Sequence, residues 1–264
     1  AKPGLWGSYD SYYRVNVTGT RHVIDACRAQ GVDKLVFTSS PSVVFNDSHM
    51  ENVDESVPYP DTYLAPYPKT KAMAEKLVRK AAEQGLLSII LRPHLIWGPE
   101  DNHVVPGIIK RAGKLKMVGP TDDLVDTIYV DNAAWAHILA AEKLDQNPDL
   151  SGRIYFISQD DPVSKWQMAN AFLKAAGLPP VKGHVPAGAA YAAGWLFETV
   201  YKALRIKKEP PMTRFAAREL ATSHWFDITR AKKELGYYPK ISTQEGLKRL
   251  EQYLSRKNQT HLKN

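Results

Sequence analysis

Tyr67 and Lys71 stand four residues apart in Tyr67-Pro-Lys-Thr-Lys71. On a helix that spacing puts a phenol and an ammonium on one face, about 6 Å of rise apart. A free tyrosine titrates near about 10 and is a poor base at neutral pH. A neighbouring cation and the positive end of a helix both favour the phenolate, so the pair reads as a proton shuttle whose lysine lowers the phenol's pKa. The bland alternative is an exposed tyrosine beside a solvated lysine, because a bare Y-x-x-x-K is common. Context lifts the pair above that. Thr38-Ser39-Ser40 follow the apolar run that begins at Lys34, so hydroxyls sit at the carboxyl end of a strand, where open α/β sheets bind ligands. Ser40 is the hydroxyl expected to hydrogen-bond the carbonyl oxygen that Tyr67 protonates. Ordinary turn chemistry accounts for at least one of Ser39 and Ser40.

The elements that must position these groups are readable from periodicity. Val17, Thr20, Ile24 and Cys27 recur at three and four residues from Tyr13 onward, with Gly31 as a stop, and predict a helix. Lys34-Leu-Val-Phe-Thr38 lacks alternation and predicts a strand covered on both faces. A second helix is expected over residues 66–84, with Pro66 and Pro68 in its first turn and Gly85 at its end. Ser88-Ile-Ile-Leu-Arg92 repeats the buried-strand signature and is halted by Pro93. Thr127-Ile-Tyr-Val130 and Arg153-Ile-Tyr-Phe-Ile157 predict further strands, with Asp131 capping a helix through Ala134, Ile138 and Ala141. This rhythm predicts an α/β fold with a doubly wound parallel sheet. From about Pro162 the pattern turns mostly helical, ending in a capping box, Ser242-Thr-Gln-Glu245, ahead of Leu247, Leu250 and Leu254. Residues 187–204 are the most apolar window, yet they carry Glu198 and Lys202, so a bilayer-spanning helix is not expected. A core or lobe-packing helix is the first reading, a lid or interfacial helix the second.

A chain of 264 residues with 44% hydrophobic and 24% charged residues has the composition of a packed globular body. The single cysteine, Cys27, makes no intramolecular disulfide and fits a reducing compartment. The net charge of +7 is interspersed, which points to solubility rather than nucleic-acid binding. No secretory signal is visible in the opening residues, and a cytoplasmic location is expected, with the membrane periphery as a variant. His94, Glu100, Asp101 and His103 crowd one loop, but their irregular spacing favours a lining role over a metal site. No G-x-S-x-G elbow supports a hydrolase.

The ordered motifs FTSSPSVVF, YPKTK, LRPHLIWGPEDNH, YVDNAAWAH and LGYYPKISTQEGLKR, with NVTGTRHVIDACRAQGV ahead of them, resemble the extended short-chain dehydrogenase/reductases over nearly the whole chain. The resemblance is to the 3β-hydroxysteroid dehydrogenase branch, including its 2-alkyl-3-oxoalkanoate reductases and sterol-4α-carboxylate 3-dehydrogenases. It implies a Rossmann-type sheet in residues 1–160, with inserted substrate-lobe segments, and a smaller, mostly helical substrate lobe in 161–264. It also implies oxidoreductase activity with NAD or NADP, interconverting a secondary alcohol and a ketone on a small hydrophobic substrate. Tyr67 would be the acid/base, Lys71 would lower its pKa and hydrogen-bond the nicotinamide ribose, and Ser40 would orient the substrate oxygen. Pro93, His94, Leu95 and Ile96 would line the nicotinamide end, with Ser39 and Ala1 also on the cofactor. Ser42, Trp97 and His103 would join Ser40 around the substrate, and Asn16 would support the lysine. No metal is implied. Peripheral membrane contact without spanning and a homodimer complete the expected partners, with no nucleic acid.

The chain departs from the family pattern in one respect. The family's G-x-x-G-x-x-G turn after a first strand has no counterpart, since Gly4-Leu-Trp-Gly7 follows no strand. The expectation is that two further units of about 30 residues each, carrying that pyrophosphate-binding turn, belong ahead of Ala1 and leave the sheet incomplete at the N-terminus. A sugar-nucleotide epimerase or dehydratase is a second reading, disfavoured by the apolar window. A non-catalytic nucleotide-sensing relative is a third, opposed by the intact set of Tyr67, Lys71 and Ser40.

Overall fold

The computed structural model describes residues 1–261. Strand Leu87–Pro93 runs between Lys34–Thr38 and Ile154–Ile157, and all three are parallel. All but the first residue of the central strand are buried, which is why its sequence shows no alternation. Ile89 and Leu91 pack against Ala136, Leu139 and Ala140 of the helix Val130–Gln146. Ile90 turns to the opposite face and meets Val78 and Ala81 of the helix Pro66–Glu83, with Ile24 behind them. Each such side chain contributes about 1.5–3 kcal/mol on burial. Helices therefore cover both faces, the doubly wound arrangement expected.

Several boundaries differ from the sequence expectation. The central strand continues through Pro93, which pairs with Ile157. The first helix begins at Tyr9 with Ser8 as its N-cap, and passes through a π-helical stretch, Tyr13–Thr18, before Gly19–Ala29. That widened turn carries the buried Asn16. Asp131 does not cap its helix. Strand Ile128–Tyr129 runs straight into it, so Asp131 falls in the first turn, where its charge suits the helix dipole, and it meets Arg249 at 3.3 Å. Half of the capping box forms: Glu245 donates its amide to Ser242 Oγ at 3.2 Å, but its carboxylate takes Arg249 Nε at 2.9 Å instead of turning back.

The later part of the chain carries helices Lys165–Ala175, Ala187–Ala203, Arg214–Leu220 and Thr243–His261. It also returns to the main body. His224–Phe226 pairs with Met50–Val53, and Leu235 and Tyr237 join the core around Ile89 and Phe156. The helix Ala187–Ala203 buries Ala190, Gly194 and Glu198 on one side. A Cβ at Gly194 would stand 2.6 Å from the Thr213 carbonyl carbon, so this face packs closer than any side chain allows. Its other face is open, with Trp195 and Leu196 more than half exposed. The lobe-packing expectation thus holds for one face only. Among the described residues no helix is long and apolar enough to cross a membrane.

Candidate active site

The helix Pro66–Glu83 places Tyr67, Lys71 and Glu75 in one four-residue series. Glu75 is fully buried, and the sequence reading missed it although it is the next member of that series. Its Oε1 accepts from Arg92 Nη2 at 2.6 Å and from the Tyr59 hydroxyl at 2.6 Å. Its Oε2 accepts from Arg92 Nε at 3.2 Å and from the Ser39 hydroxyl. One carboxylate therefore clamps the helix to the carboxyl ends of two parallel strands. The Ser39 hydroxyl is turned inward to Glu75 and acts as a tether.

Fixing Ser39 leaves Ser40 facing the phenol. The Ser40 hydroxyl bonds the Ser42 hydroxyl at 2.9 Å, and its influence on Tyr67 favours the phenolate. Ser42 thus acts behind Ser40, and it does not line the cavity described below. Tyr67 is partly buried, and that burial pushes its pKa up, with the Glu219 charge adding to the rise and the Ser40 hydrogen bond opposing it. The expected lowering by Lys71 is not what the structure gives. Lys71 Nζ donates to the Thr38 carbonyl at 2.6 Å and lies 4.5 Å above the Phe37 ring. Burial lowers Lys71 to about 8, against the pull of Glu75. Desolvation dominates at the phenol, which stays protonated at neutral pH.

Asn16 does not reach the lysine either. It accepts from Lys2 N at 2.6 Å, donates to Lys2 O at 3.3 Å and donates to Thr70 Oγ1 at 3.0 Å. The opening segment is therefore tied to the catalytic helix one residue before Lys71, with Ala1 exposed beside the tie.

The structure also holds a cavity of about 710 Å³, and Tyr67, Lys71 and Ser40 are not among the residues that line it. His94, Leu95, Trp97 and His103 line it; Pro93 and Ile96 do not. Trp97 is a buried wall, donating to Thr127 Oγ1 at 3.1 Å and packed on Tyr129 and Phe172. His103 is exposed at the mouth. Asp101 is a helix cap, accepting from His103 N and Val105 N at 2.7 Å each. Most of the wall is apolar, including Ile108, Trp166, Met168, Phe172, Val185 and Met212.

One patch of the wall is polar. Lys165 Nζ donates to the carbonyls of Glu219, Leu220 and Thr222 at 2.9, 3.1 and 2.6 Å, and burial lowers it to about 8. Burial raises the Glu219 carboxyl to about 7. His94 is pushed down to about 3 by burial and by Lys165, against an opposing pull from the Asp126 backbone. Its Nδ1 is buried without a partner among the described residues. Glu219 lines the cavity, and its charge acts on Tyr67. A protonated weak acid with a hydroxyl partner can protonate an oxygen on an apolar molecule.

The model of the 3-beta hydroxysteroid dehydrogenase/isomerase family matches residues 6–185. The chain is 48% identical over 260 residues to a 2-alkyl-3-oxoalkanoate reductase of Shewanella oneidensis, covering 95% of this chain and 67% of that protein. It is 38% identical over 249 residues to a decarboxylating sterol-4-alpha-carboxylate 3-dehydrogenase of Schizosaccharomyces pombe, covering 91% and 72%. The fold is similar to that of a UDP-glucuronic acid 4-epimerase from Bacillus cereus solved with NAD, with a TM-score of 0.71 at 21% identity over 97% of this chain and 72% of that one. A family match over most of the chain, with relatives at such identity along nearly all of it, makes the chain a member of the 3-beta hydroxysteroid dehydrogenase/isomerase family.

Proposed function

We propose that the protein is an NAD(P)-dependent reductase of 3-oxo acids that carry apolar groups. The observation that carries this reading is the Tyr67 phenol, kept protonated by burial, together with a cavity of about 710 Å³ whose wall is mostly apolar and includes Glu219, the acid whose charge acts on that phenol. Both named relatives act on molecules whose carboxylate sits on the carbon next to the one bearing the reacting oxygen. An apolar chamber suits alkyl or sterol bodies and does not suit a sugar nucleotide, which weighs against the epimerase reading. Residues 1–160 are proposed as the Rossmann-type part and 161–264 as mainly the substrate lobe.

The residues present fit a nicotinamide. His94 Nδ1 is a buried ring nitrogen with no hydrogen-bond partner among the described residues, and Leu95 follows it with a left-handed φ of +45°, both at the carboxyl end of the central strand. Tyr67, Lys71 and residues 93–96 would hold the nicotinamide end, and the bound cofactor supplies the hydride to the carbonyl carbon. Tyr67 delivers its proton to the carbonyl oxygen as negative charge develops there. Ser40, whose influence favours the charged form of Tyr67, would stabilise the phenolate left behind, with the Ser42 hydroxyl bonded to Ser40 at 2.9 Å. Lys71, held on the Thr38 carbonyl, supplies a positive charge one helical turn away.

The test is the reduction of a 2-alkyl-3-oxo acid by NADH or NADPH, followed across pH. The phenol, raised above its ordinary value, remains an acid throughout the neutral range. Lys71 loses its proton as pH rises through about 8, so kcat/KM for reduction falls above that value. For stability the sign is opposite. The unfolded lysine, at its ordinary 10.5, binds more protons than the folded one between about 8 and 10.5, so this group favours the folded state increasingly as pH rises through that window. No turnover with either cofactor would overturn the reading.

We also infer a peripheral contact with a bilayer surface through the helix Ala187–Ala203. Its inner face contributes Ala189, Ala190 and Ala193 to the cavity, while Trp195, Leu196 and Val200 are exposed on the outside. An apolar substrate would then leave the lipid beside its own chamber. The protein is expected to sediment with phosphatidylcholine vesicles, and the pair Trp195→Glu and Leu196→Glu to abolish this. If the pair instead converts a dimer to a monomer with vesicle binding absent throughout, the face belongs to a second copy of the chain.

A further inference from the structure

A second cleft, of about 680 Å³, adjoins the cavity through the shared residues Leu5 and Thr213. Pro66, the residue before Tyr67, also lines it, so it reaches the helix that carries the phenol. One wall is the loop of residues 5–8 and the other is the end of the helix Ala187–Ala203 with the turn that follows. The two walls are fastened together. Trp6 Nε1 donates to the Ile206 carbonyl at 3.1 Å, its ring stands edge-on to Tyr201 at 6.1 Å, and the Tyr12 hydroxyl donates to the Trp6 carbonyl at 3.1 Å.

The charge in this cleft is one-sided. Lys2, Lys202, Arg205 and Lys207 line it, and the one acid on its wall is Glu198. Glu198 is already neutralised, accepting from Arg214 N at 2.8 Å, Nε at 2.9 Å and Nη2 at 2.8 Å. Lys2 Nζ donates to Ser11 Oγ at 2.8 Å. Among the described residues no carboxylate pairs with Lys202, Arg205 or Lys207. Arg205 is also conformationally unusual. It follows the helix end with φ +54°, a left-handed position that glycine ordinarily takes, while Ile206 N donates to the Tyr201 carbonyl at 2.9 Å to close the turn. Arg205 therefore stands in a glycine's conformation among like charges, with no acid paired to it among the described residues.

We propose that this cleft recognises the carboxylate of the substrate, with Lys202, Arg205 and Lys207 supplying the positive charge while the apolar body enters the cavity past Leu5 and Thr213. The proposal rests on the 3-oxo acid reading above and adds what that reading lacks, a means of telling the acid from a neutral ketone. The phosphate of a lipid headgroup offers the same negative charge, so the test separates the two sources.

The experiment compares the cofactor-loaded protein with Arg205→Met and with the triple replacement of Lys202, Arg205 and Lys207 by Met, all three positions being exposed and outside the core. The readout is the ratio of kcat/KM for a 2-alkyl-3-oxo acid to that for the ketone left when its carboxyl group is removed. The ratio is expected to fall about tenfold in Arg205→Met, the loss of one hydrogen bond to a charged group, and further in the triple variant. An unchanged ratio overturns the proposal, as does a ratio that holds while binding to phosphatidylglycerol vesicles is lost. If the unmodified protein turns over neither compound, the 3-oxo acid reading has failed, and the cleft is judged by titration with myristate against myristyl alcohol. Tighter binding of the acid, lost in the triple variant, supports the carboxylate site; equal affinity for the two overturns it.

Discussion

Replacing Tyr67 with phenylalanine is expected to lower kcat for carbonyl reduction by about 10³-fold, the middle of the range that general acid catalysis commands. The ring stays, so the packing of the first turn of its helix is preserved. Ser40 and Ser42 keep their mutual hydrogen bond at 2.9 Å, so the hydroxyl cluster is not dismantled with the phenol. Lys71 and residues 93–96 are untouched, and affinity for the reduced nicotinamide, read by fluorescence titration, should remain largely intact. Ser40→Ala should cost less, because it removes a partner of the proton donor and not the donor, and the double variant should be little worse than Tyr67→Phe alone. A Tyr67→Phe protein that keeps kcat within about tenfold would show that the proton comes from elsewhere, and Glu219, raised to about 7 on the cavity wall, would be the next group to replace.

How far this site was legible in the sequence depends on how local each signal is. The Tyr67 and Lys71 spacing, the buried strands Leu87–Pro93 and Ile154–Ile157 and the helix ends marked by Gly31 and Gly85 are statements about a few neighbouring residues, and they carried through. Lys34–Thr38, expected to be covered on both faces, instead forms a strand at the sheet edge with none of its residues buried. Ser40 was chosen from its place at a strand end, and in the structure its influence lowers the Tyr67 pKa. What the sequence could not supply were partners far along the chain. Arg92 reaches Glu75 only because two elements pack side by side, and Lys165 meets the carbonyls of 219–222 across more than fifty residues. Asn16 was placed near the lysine by resemblance, yet the π-helical stretch turns it onto Lys2 and Thr70. The sign of the Tyr67 shift was misjudged for a related reason. A cation four residues away is visible in a sequence, whereas the burial that outweighs it is a property of the whole fold.

The largest effect on stability is expected from Glu75. Glu75→Ala should lower the unfolding free energy by about 3–5 kcal/mol, read as a shift in the urea midpoint, because it strands a buried guanidinium. Arg92 is 1% exposed and Glu75 is fully buried. Arg92 Nη1 already lacks a partner among the described residues, and the substitution removes the acceptor of Nε and Nη2 together. Tyr59, pushed up to about 12 by burial and by the Glu75 charge, loses its acceptor as well. Stability and positioning can be separated. Replacing both members of the pair by apolar residues, Glu75→Leu with Arg92→Met, removes the uncompensated charge and should recover most of the lost stability. It cannot restore the bond to Ser39, which fixes the strand end from which Ser40 acts on the phenol. The double variant should therefore be folded yet slow, with kcat lowered more than KM is raised. A stable double variant with full kcat would mean that Glu75 serves the fold alone, and that Ser40 finds Tyr67 without it.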